Sequence, residues 1–384
     1  MKICGVIAEY DPFHRGHELH LRRTREMTGC DFVIAVMSGS VVQRGRLARF
    51  DKFARARAAL LCGADAVFEL PALFSLKSAE GFARGGAEIL SRLGADVLSF
   101  GVEADVLPLI GRVPETEPLA VSEAVALRLS RGETYARAWG GAMAGYLNEP
   151  EELLSRPNFL LALEYRKAAR GRVMELCAVP RTDGYHETGE DVLSASAVRA
   201  LLEAGEREKA AALLPQAGRF QTDAAAIDPV RADAALLWAL RSLPREAFIE
   251  TDGCGEGLDA RLYRAVRSCA SYTGAAEAVK TKRYTRARID RALLCAALGI
   301  TKAFAQAHPL PGYARLLGFR ADRKELLAEL DRRSGGFLVS DAKRLGDDPV
   351  FRLENRATDL WASCCDSADD RICDRDYGCK MIVV

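Results

Sequence analysis

The feature that most constrains this chain is the alternation of strand and helix signals through its first hundred residues. "KICGVIAE" is a short apolar run, "GHELHLRRTREMTG" has helical spacing, and "DFVIAVMSG" is a second β-branched run. "DKFARARAALLCG" follows as a helix with a glycine stop, then "ADAVFELP" as a third strand ended by Pro71. "SAEGFARGGAEILSRLG" and "ADVLSFG" repeat the pair, and "VMELCAVPR" reads as a fifth strand after a helical stretch. Strands separated by helices of this length are joined by crossovers, so the expected fold is α/β with a doubly wound parallel sheet. Beyond Pro215 the strand signals largely vanish, with "GFLVS" the main exception. A first domain over 1–215 and a mainly α-helical second domain over 216–384 are therefore expected.

In such sheets ligands bind beyond the carboxyl ends of the strands. Three segments lie there: 9–17, 37–46 and 100–103. The formal net charge is +1, so no whole-protein attraction to nucleic acid exists, and any RNA-binding surface must come from local clusters of arginine and lysine. No apolar stretch is long enough to span a bilayer, and the N-terminus lacks a signal-peptide pattern. Neither membrane nor DNA is expected as a partner. The expected location is the cytoplasm, with the eleven cysteines reduced. Four of these crowd the tail (Cys364, Cys365, Cys373, Cys379) without paired CxxC spacing or a nearby histidine, so no zinc site is read there.

"EYDPFHRGHELH" carries three of the five histidines. On one helix His14 and His20 would diverge by roughly 120° around the axis, so a three-histidine metal site would need irregular backbone. Pro12 and Gly16 instead mark His14 as part of the turn after the strand, with His17 in the first helical turn. A helix N-terminus after a parallel strand cradles phosphate through its N–H groups and dipole. Gly16 admits close approach, and imidazoles at 14 and 17 can donate to phosphate oxygens as charge builds. His14-Arg15-Gly16-His17 in this setting is the HxGH signature of nucleotidyltransferases. Their second signature, Ser/Thr-x-x-x-x-Arg at a helix start, is met by Ser194 to Arg199 in "LSASAVRALL", with Ser196 inside it. Alone, this stretch would read as a capped helix with a solvated arginine. Together the two signatures point to ATP or a similar nucleotide on a Rossmann-type frame.

The chain resembles the bacterial tRNA(Met) cytidine acetate ligases along nearly its whole length. "EYDPFHRGH", "VMSGSVVQRG", "LSFGVE", "RPNFLLALEY", "LSASAVR", "KTKRYTRARIDR", "ARLLGFR" and "ENRATDLWA" carry the resemblance. It implies activation of acetate by ATP to acetyl-adenylate with release of pyrophosphate. The acetyl group then passes to N4 of the wobble cytidine of elongator tRNA(Met). ATP-binding positions carry over to Ile7, Ala8, Glu9, Tyr10, Asp11, Pro12, Phe13, His14, Arg15, Gly16, His17, Glu18, Leu19 and His20. They continue at Gly101, Asn158 and Arg181. Read alone, Gly101 is a turn glycine, Asn158 a helix cap and Arg181 a surface charge. Asp11 and Arg15 depart from the family's usual asparagines. A carboxylate near phosphates is tolerable only if it faces a metal or caps the helix, so Asp11 leaves the metal ligands open.

His14, His17 and Arg199 are the expected catalytic residues, the histidines on the α- and β-phosphates and Arg199 on pyrophosphate. Gln43, Arg44 and Lys52 are weaker candidates for acetate or phosphate, Lys52 reading more naturally as a solvated lysine opening a helix. Magnesium is expected with ATP. The expected RNA surface is "KTKRYTRARIDR", where Lys280, Lys282, Arg283, Arg286, Arg288 and Arg291 crowd around Tyr284, a candidate for base stacking. Two rivals remain: an adenylyltransferase acting on a small phosphorylated metabolite, and a non-catalytic RNA-binding protein on the same frame. The first needs no basic helical domain, and the second would tolerate loss of His14 or His17.

Overall fold

A computed structural model describes residues 1–103, 107–181 and 194–384, with Arg181 described by its backbone alone. The polar loop read at 182–193 lies outside the described residues. Each apolar run of the first half becomes a strand: β1 (Ile3–Ala8), β2 (Phe32–Ser38), β5 (Ala66–Leu70), β6 (Val97–Glu103) and β7 (Glu175–Arg181). Between β2 and β5 lies a small antiparallel hairpin of β3 (Val41–Val42) and β4 (Arg46–Leu47). Near-continuous burial of β1, β2 and β5 fits strands covered on both faces.

The large sheet runs β10 (Ile382–Val383), β8 (Ala314–Phe319), β5, β2, β1, β6, β7, and β5, β2, β1, β6 and β7 are mutually parallel. The chain builds outward from β1 through β2 to β5, then crosses to the other side of β1 to lay down β6 and β7. The gap between β1 and β6 is thus the topological switch point where such sheets bind ligands. Helix α1 (Arg15–Thr28) leaves the β1 end, and α2 (Lys52–Leu61) precedes β5.

The chain beyond 215 is mainly helical, as expected, yet it also completes the sheet. "ARLLGF" forms β8 (Ala314–Phe319), antiparallel to β5, which makes the sheet mixed rather than wholly parallel. β9 (Leu338–Val339) and β10 (Ile382–Val383) both pair with β8. The sequence reading missed β8 because Arg315 interrupts its apolar pattern. Gln221, from the turn-like helix Gln216–Asp223, braces the HxGH turn: it accepts the Phe13 N–H at 3.1 Å and donates to the Phe13 carbonyl at 3.0 Å. No helix among the described residues is long and apolar enough to cross a membrane.

Candidate active site

After β1 the backbone turns through Tyr10, at a left-handed φ of 47°, and a cis Asp11–Pro12 bond. His14 then caps α1. Its Nδ1 accepts the Gly16 N–H at 3.1 Å, while His17 Nδ1 accepts the His14 N–H at 3.2 Å. Two imidazoles thereby form a reciprocal capping box. A ring nitrogen that accepts an N–H carries no proton, so in each neutral ring the proton sits on Nε2. The site thus sets two Nε2–H donors at a helix N-terminus, where the dipole already favours an anion. The ring centroids are 3.8 Å apart, and Tyr10 packs edge-on against His17 at 4.8 Å.

His20 points elsewhere. Its Nε2 lies 3.2 Å from Ser99 Oγ, which Thr24 Oγ1 also meets at 2.7 Å, fastening α1 to β6. Among the described residues no group of three or more histidine, cysteine or acidic side chains is arranged to hold a metal.

Asp11 answers the question its sequence raised, for it neither caps α1 nor gathers with other metal-binding side chains. Its buried carboxylate accepts the Arg49 N–H at 2.6 Å and holds Arg46, with Nε at 3.1 Å and Nη2 at 3.0 Å. Arg199 approaches the same oxygen at 3.6 Å and donates to the Asp11 carbonyl. Arg199 also donates to Ser196 Oγ at 2.9 Å, and Ser194 caps its helix, Ala195–Glu203, by accepting the Ala197 N–H at 3.1 Å. The arginine of the second signature is therefore held on Asp11, three residues before the first HxGH histidine. Arg46 was not singled out from the sequence. Its signals were its place in the 37–46 segment at a strand's carboxyl end and in the basic run "RGRLARFDKFARAR" close to the expected site.

Gly101 sits in the last part of β6, paired with Val179, and the Arg181 backbone ends β7 opposite Glu103. Asn158 is not the cap that its position suggested. It lies just inside the helix Pro157–Ala169 and donates to Glu103 Oε1 at 2.7 Å, so Glu103 positions it beside the end of β6. Glu9 Oε1 and Glu103 Oε2 are buried without a hydrogen-bond partner among the described residues.

Lys52 is neither a solvated lysine nor a substrate contact. It is fully buried, with Nζ at 2.6 Å from Glu69, 2.6 Å from Asp376 and 3.3 Å from Glu354. Arg315 joins the same cluster, at 2.8 Å from Glu69 and 2.7 Å from Asp376. These partners lie far along the sequence, which is why the local reading failed.

The β3–β4 hairpin, which carries Gln43 and Arg44, presses against the helix Arg286–Leu298. A Cβ on Gly45 would lie 2.3 Å from the Arg291 nitrogen, and Arg291 Nη1 donates to the Gln43 carbonyl at 3.2 Å. The basic stretch therefore adjoins the candidate nucleotide site. Its chemistry differs from expectation at Tyr284, which is 3% exposed and donates to the Glu256 carbonyl. Arg261, Arg283 and Arg288 stack around its ring at 5.4 to 5.9 Å. Tyr284 thus offers no face to a base. Arg286 is spoken for by Asp290 at 2.8 Å and by Glu277, and Arg288 by Glu256 at 3.3 Å. Lys280, Lys282 and Arg283 are exposed, although Lys280 lies 3.8 Å from Glu277 and Arg283 3.5 Å from Glu256.

Comparison with known proteins gives the same picture over the whole chain. The model of the HIGH Nucleotidyl Transferase family matches residues 1–376. The tRNA(Met) cytidine acetate ligase of Acetivibrio thermocellus is 31% identical over 420 residues, covering 100% of both chains. That of Clostridium kluyveri is 34% identical over 393 residues, covering 93% of this chain and 94% of its own. The Thermotoga maritima TmcAL structure bound with alpha-thio ATP superposes with a TM-score of 0.89 at 29% identity over 100% of both chains. With its HxGH turn, its distant arginine and full-length likeness to these relatives, the chain belongs to the HIGH nucleotidyl transferase family, within the tRNA(Met) cytidine acetate ligases.

Proposed function

We propose that this protein activates acetate with ATP and acetylates N4 of the wobble cytidine of elongator tRNA(Met). The observation that carries the reading is that Asp11, in the turn that leads into the HxGH cap, holds Arg199 beside it at the switch point of the sheet, which would assemble donors for a nucleotide's phosphates. In the first step an acetate oxygen attacks the α-phosphorus in line with the departing pyrophosphate. His14 and His17 donate from Nε2 to the α- and β-phosphate oxygens, and Arg199 and Arg46 face the leaving group. Positioning and charge stabilisation carry such chemistry without a covalent enzyme intermediate. Gly101 and Asn158 flank the adenosine, with Glu103 setting the amide's orientation. Magnesium would arrive with ATP as its counter-ion.

In the second step the cytidine N4 attacks the acetyl carbonyl and AMP departs. The contact between the β3–β4 hairpin and the helix Arg286–Leu298 supports delivery of RNA to this pocket, with Lys280, Lys282 and Arg283 on the phosphates. A reaction on tRNA would take place in the cytoplasm.

The test is exchange of labelled pyrophosphate into ATP with acetate present and absent, with and without tRNA. Exchange that requires acetate supports the adenylate step, and acetate-dependent label on tRNA cytidine supports the acceptor. Turnover driven by a phosphorylated metabolite instead would make the protein an adenylyltransferase of small molecules.

A further inference from the structure

Glu9 follows β1 directly, where the strand's carboxyl end meets the HxGH turn. Its backbone is held rigidly: the Glu9 carbonyl accepts from the buried Arg55 guanidinium at 2.8 Å, and the same group bonds the Ser38 carbonyl at 3.1 Å. Its side chain is treated differently. One carboxylate oxygen, Oε1, is buried with no hydrogen-bond partner among the described residues. A buried carboxylate oxygen left unbonded is costly, and a fold retains one where an acceptor is needed.

The surroundings show what it could accept from. Asp11 stands two residues away beside the phosphate donors, its carboxylate holding Arg46 of the hairpin at 3.1 Å, and that hairpin meets Arg291 through the Gln43 carbonyl at 3.2 Å. Arg199 and Arg291 feel its charge from their helices, as do Arg55 on α2 and Tyr165 on the helix Pro157–Ala169. Glu9 therefore lies between the nucleotide cradle and the start of the helix that carries the basic stretch. The acetyl-adenylate and the cytidine amine must meet in that interval.

We infer that Glu9 is the proton acceptor of the acetyl-transfer step. The N4 lone pair attacks the acetyl carbonyl carbon and a C–N bond forms. The C–O bond to the AMP phosphate breaks, and its electron pair leaves with AMP. One N4 proton passes to the Glu9 carboxylate, so the step balances with no further reactant. Burial lifts the Glu9 carboxyl above its ordinary value, Arg46 working against it and Asp11 with it, which makes it a stronger base than an exposed glutamate.

This inference rests on the adenylate reading of the preceding section, and the test separates the two. Glu9→Gln is assayed in one preparation for acetate-dependent pyrophosphate exchange and for single-turnover transfer of acetyl to tRNA. General-base loss predicts that transfer falls at least about 10-fold further than exchange in the same variant. In the wild type transfer climbs with pH through the Glu9 titration, and in Glu9→Gln that limb is gone. Transfer and exchange falling in equal proportion would overturn the inference and make Glu9 a contact of ATP or its metal. If Glu9→Gln does not fold, Glu9→Asp decides by a displaced pH limb, and an unmoved limb overturns the inference. Wild-type exchange that ignores acetate would instead sink the adenylate reading, and this inference with it.

Discussion

Arg199 and Asp11, 188 residues apart in sequence, meet at 3.6 Å, and the same Asp11 oxygen lies 3.0 Å from Arg46. One buried carboxylate thus fixes two guanidiniums beside the HxGH turn. Asp11→Asn keeps the shape but loses the charge that aligns them. Hydrogen bonds to charged groups contribute about 1.5–3 kcal/mol, so kcat/KM for pyrophosphate exchange is expected to fall about 10- to 100-fold. Steady-state kinetics decide this, and an unchanged value would show that the arginines hold themselves.

His14 caps α1 and, in the proposed mechanism, also donates from Nε2; two substitutions separate these roles. Asparagine can cap where alanine cannot, and neither has the ring donor. Both variants should lose about 100- to 1000-fold in the adenylation rate, whereas only His14→Ala should lose a further ~1 kcal/mol of stability. Denaturant unfolding beside rapid-quench kinetics checks both halves.

Lys52 sits among three buried carboxylates. Lys52→Met leaves these buried groups with Arg315 as their remaining cation and should destabilise the protein by about 3–5 kcal/mol. ATP affinity of the folded fraction, measured by calorimetry, should hardly change. A selective loss of ATP binding at normal stability would return Lys52 to the active site.

The same cluster predicts how stability follows pH. Burial, reinforced by Glu69 and opposed by Lys52, lifts the Glu354 carboxyl to about 8. Burial would lift Asp376 as well, but Lys52 and Arg315 outweigh it and hold it at about 2. A raised acid contributes stability below its unfolded value that fades as pH rises through about 8, whereas Asp376 contributes above its unfolded value and fades only as pH falls toward 2. Glu354→Gln imitates the protonated form. Its unfolding free energy should match the wild type below about pH 4, and the gap should open steadily as pH rises to about 8 and stay constant above it; parallel curves would refute the assignment.

On the RNA side, charge reversal at Lys282 should weaken tRNA binding and reduce the salt slope by about 1, as for a lost phosphate contact. Tyr284→Phe should leave tRNA affinity within a factor of about 2, since a buried ring stacks on no base and the lost bond to Glu256 is intramolecular. Filter binding across a salt series measures both.

Much of the frame was legible in the sequence because its signals are local. The runs that became β1, β2, β5, β6 and β7 alternate with helices whose caps and glycine stops stand beside them. The HxGH turn and the Ser194–Arg199 start were legible for the same reason. β8 was not, since Arg315 breaks its apolar run, and an arginine is tolerated there only because Glu69 and Asp376 meet it in space. Tyr284 misled for the matching reason: arginines beside a tyrosine in sequence turned out to pack around it. Arg46 was passed over because the hairpin that aims it becomes visible only once it is seated against the helix Arg286–Leu298.

Gln221 grips the Phe13 backbone from both sides, and β8 covers the outer flank of β5. An engineer who cut the chain at 215 to make a minimal catalyst would remove the brace of the HxGH turn, uncover the buried edge of β5 and strip its Glu69 of Arg315, an invitation to aggregate. The helical half is the mould in which the catalytic half is cast. Swapping it between relatives will work only if Gln221 and the β8 seam travel together with the turn they support.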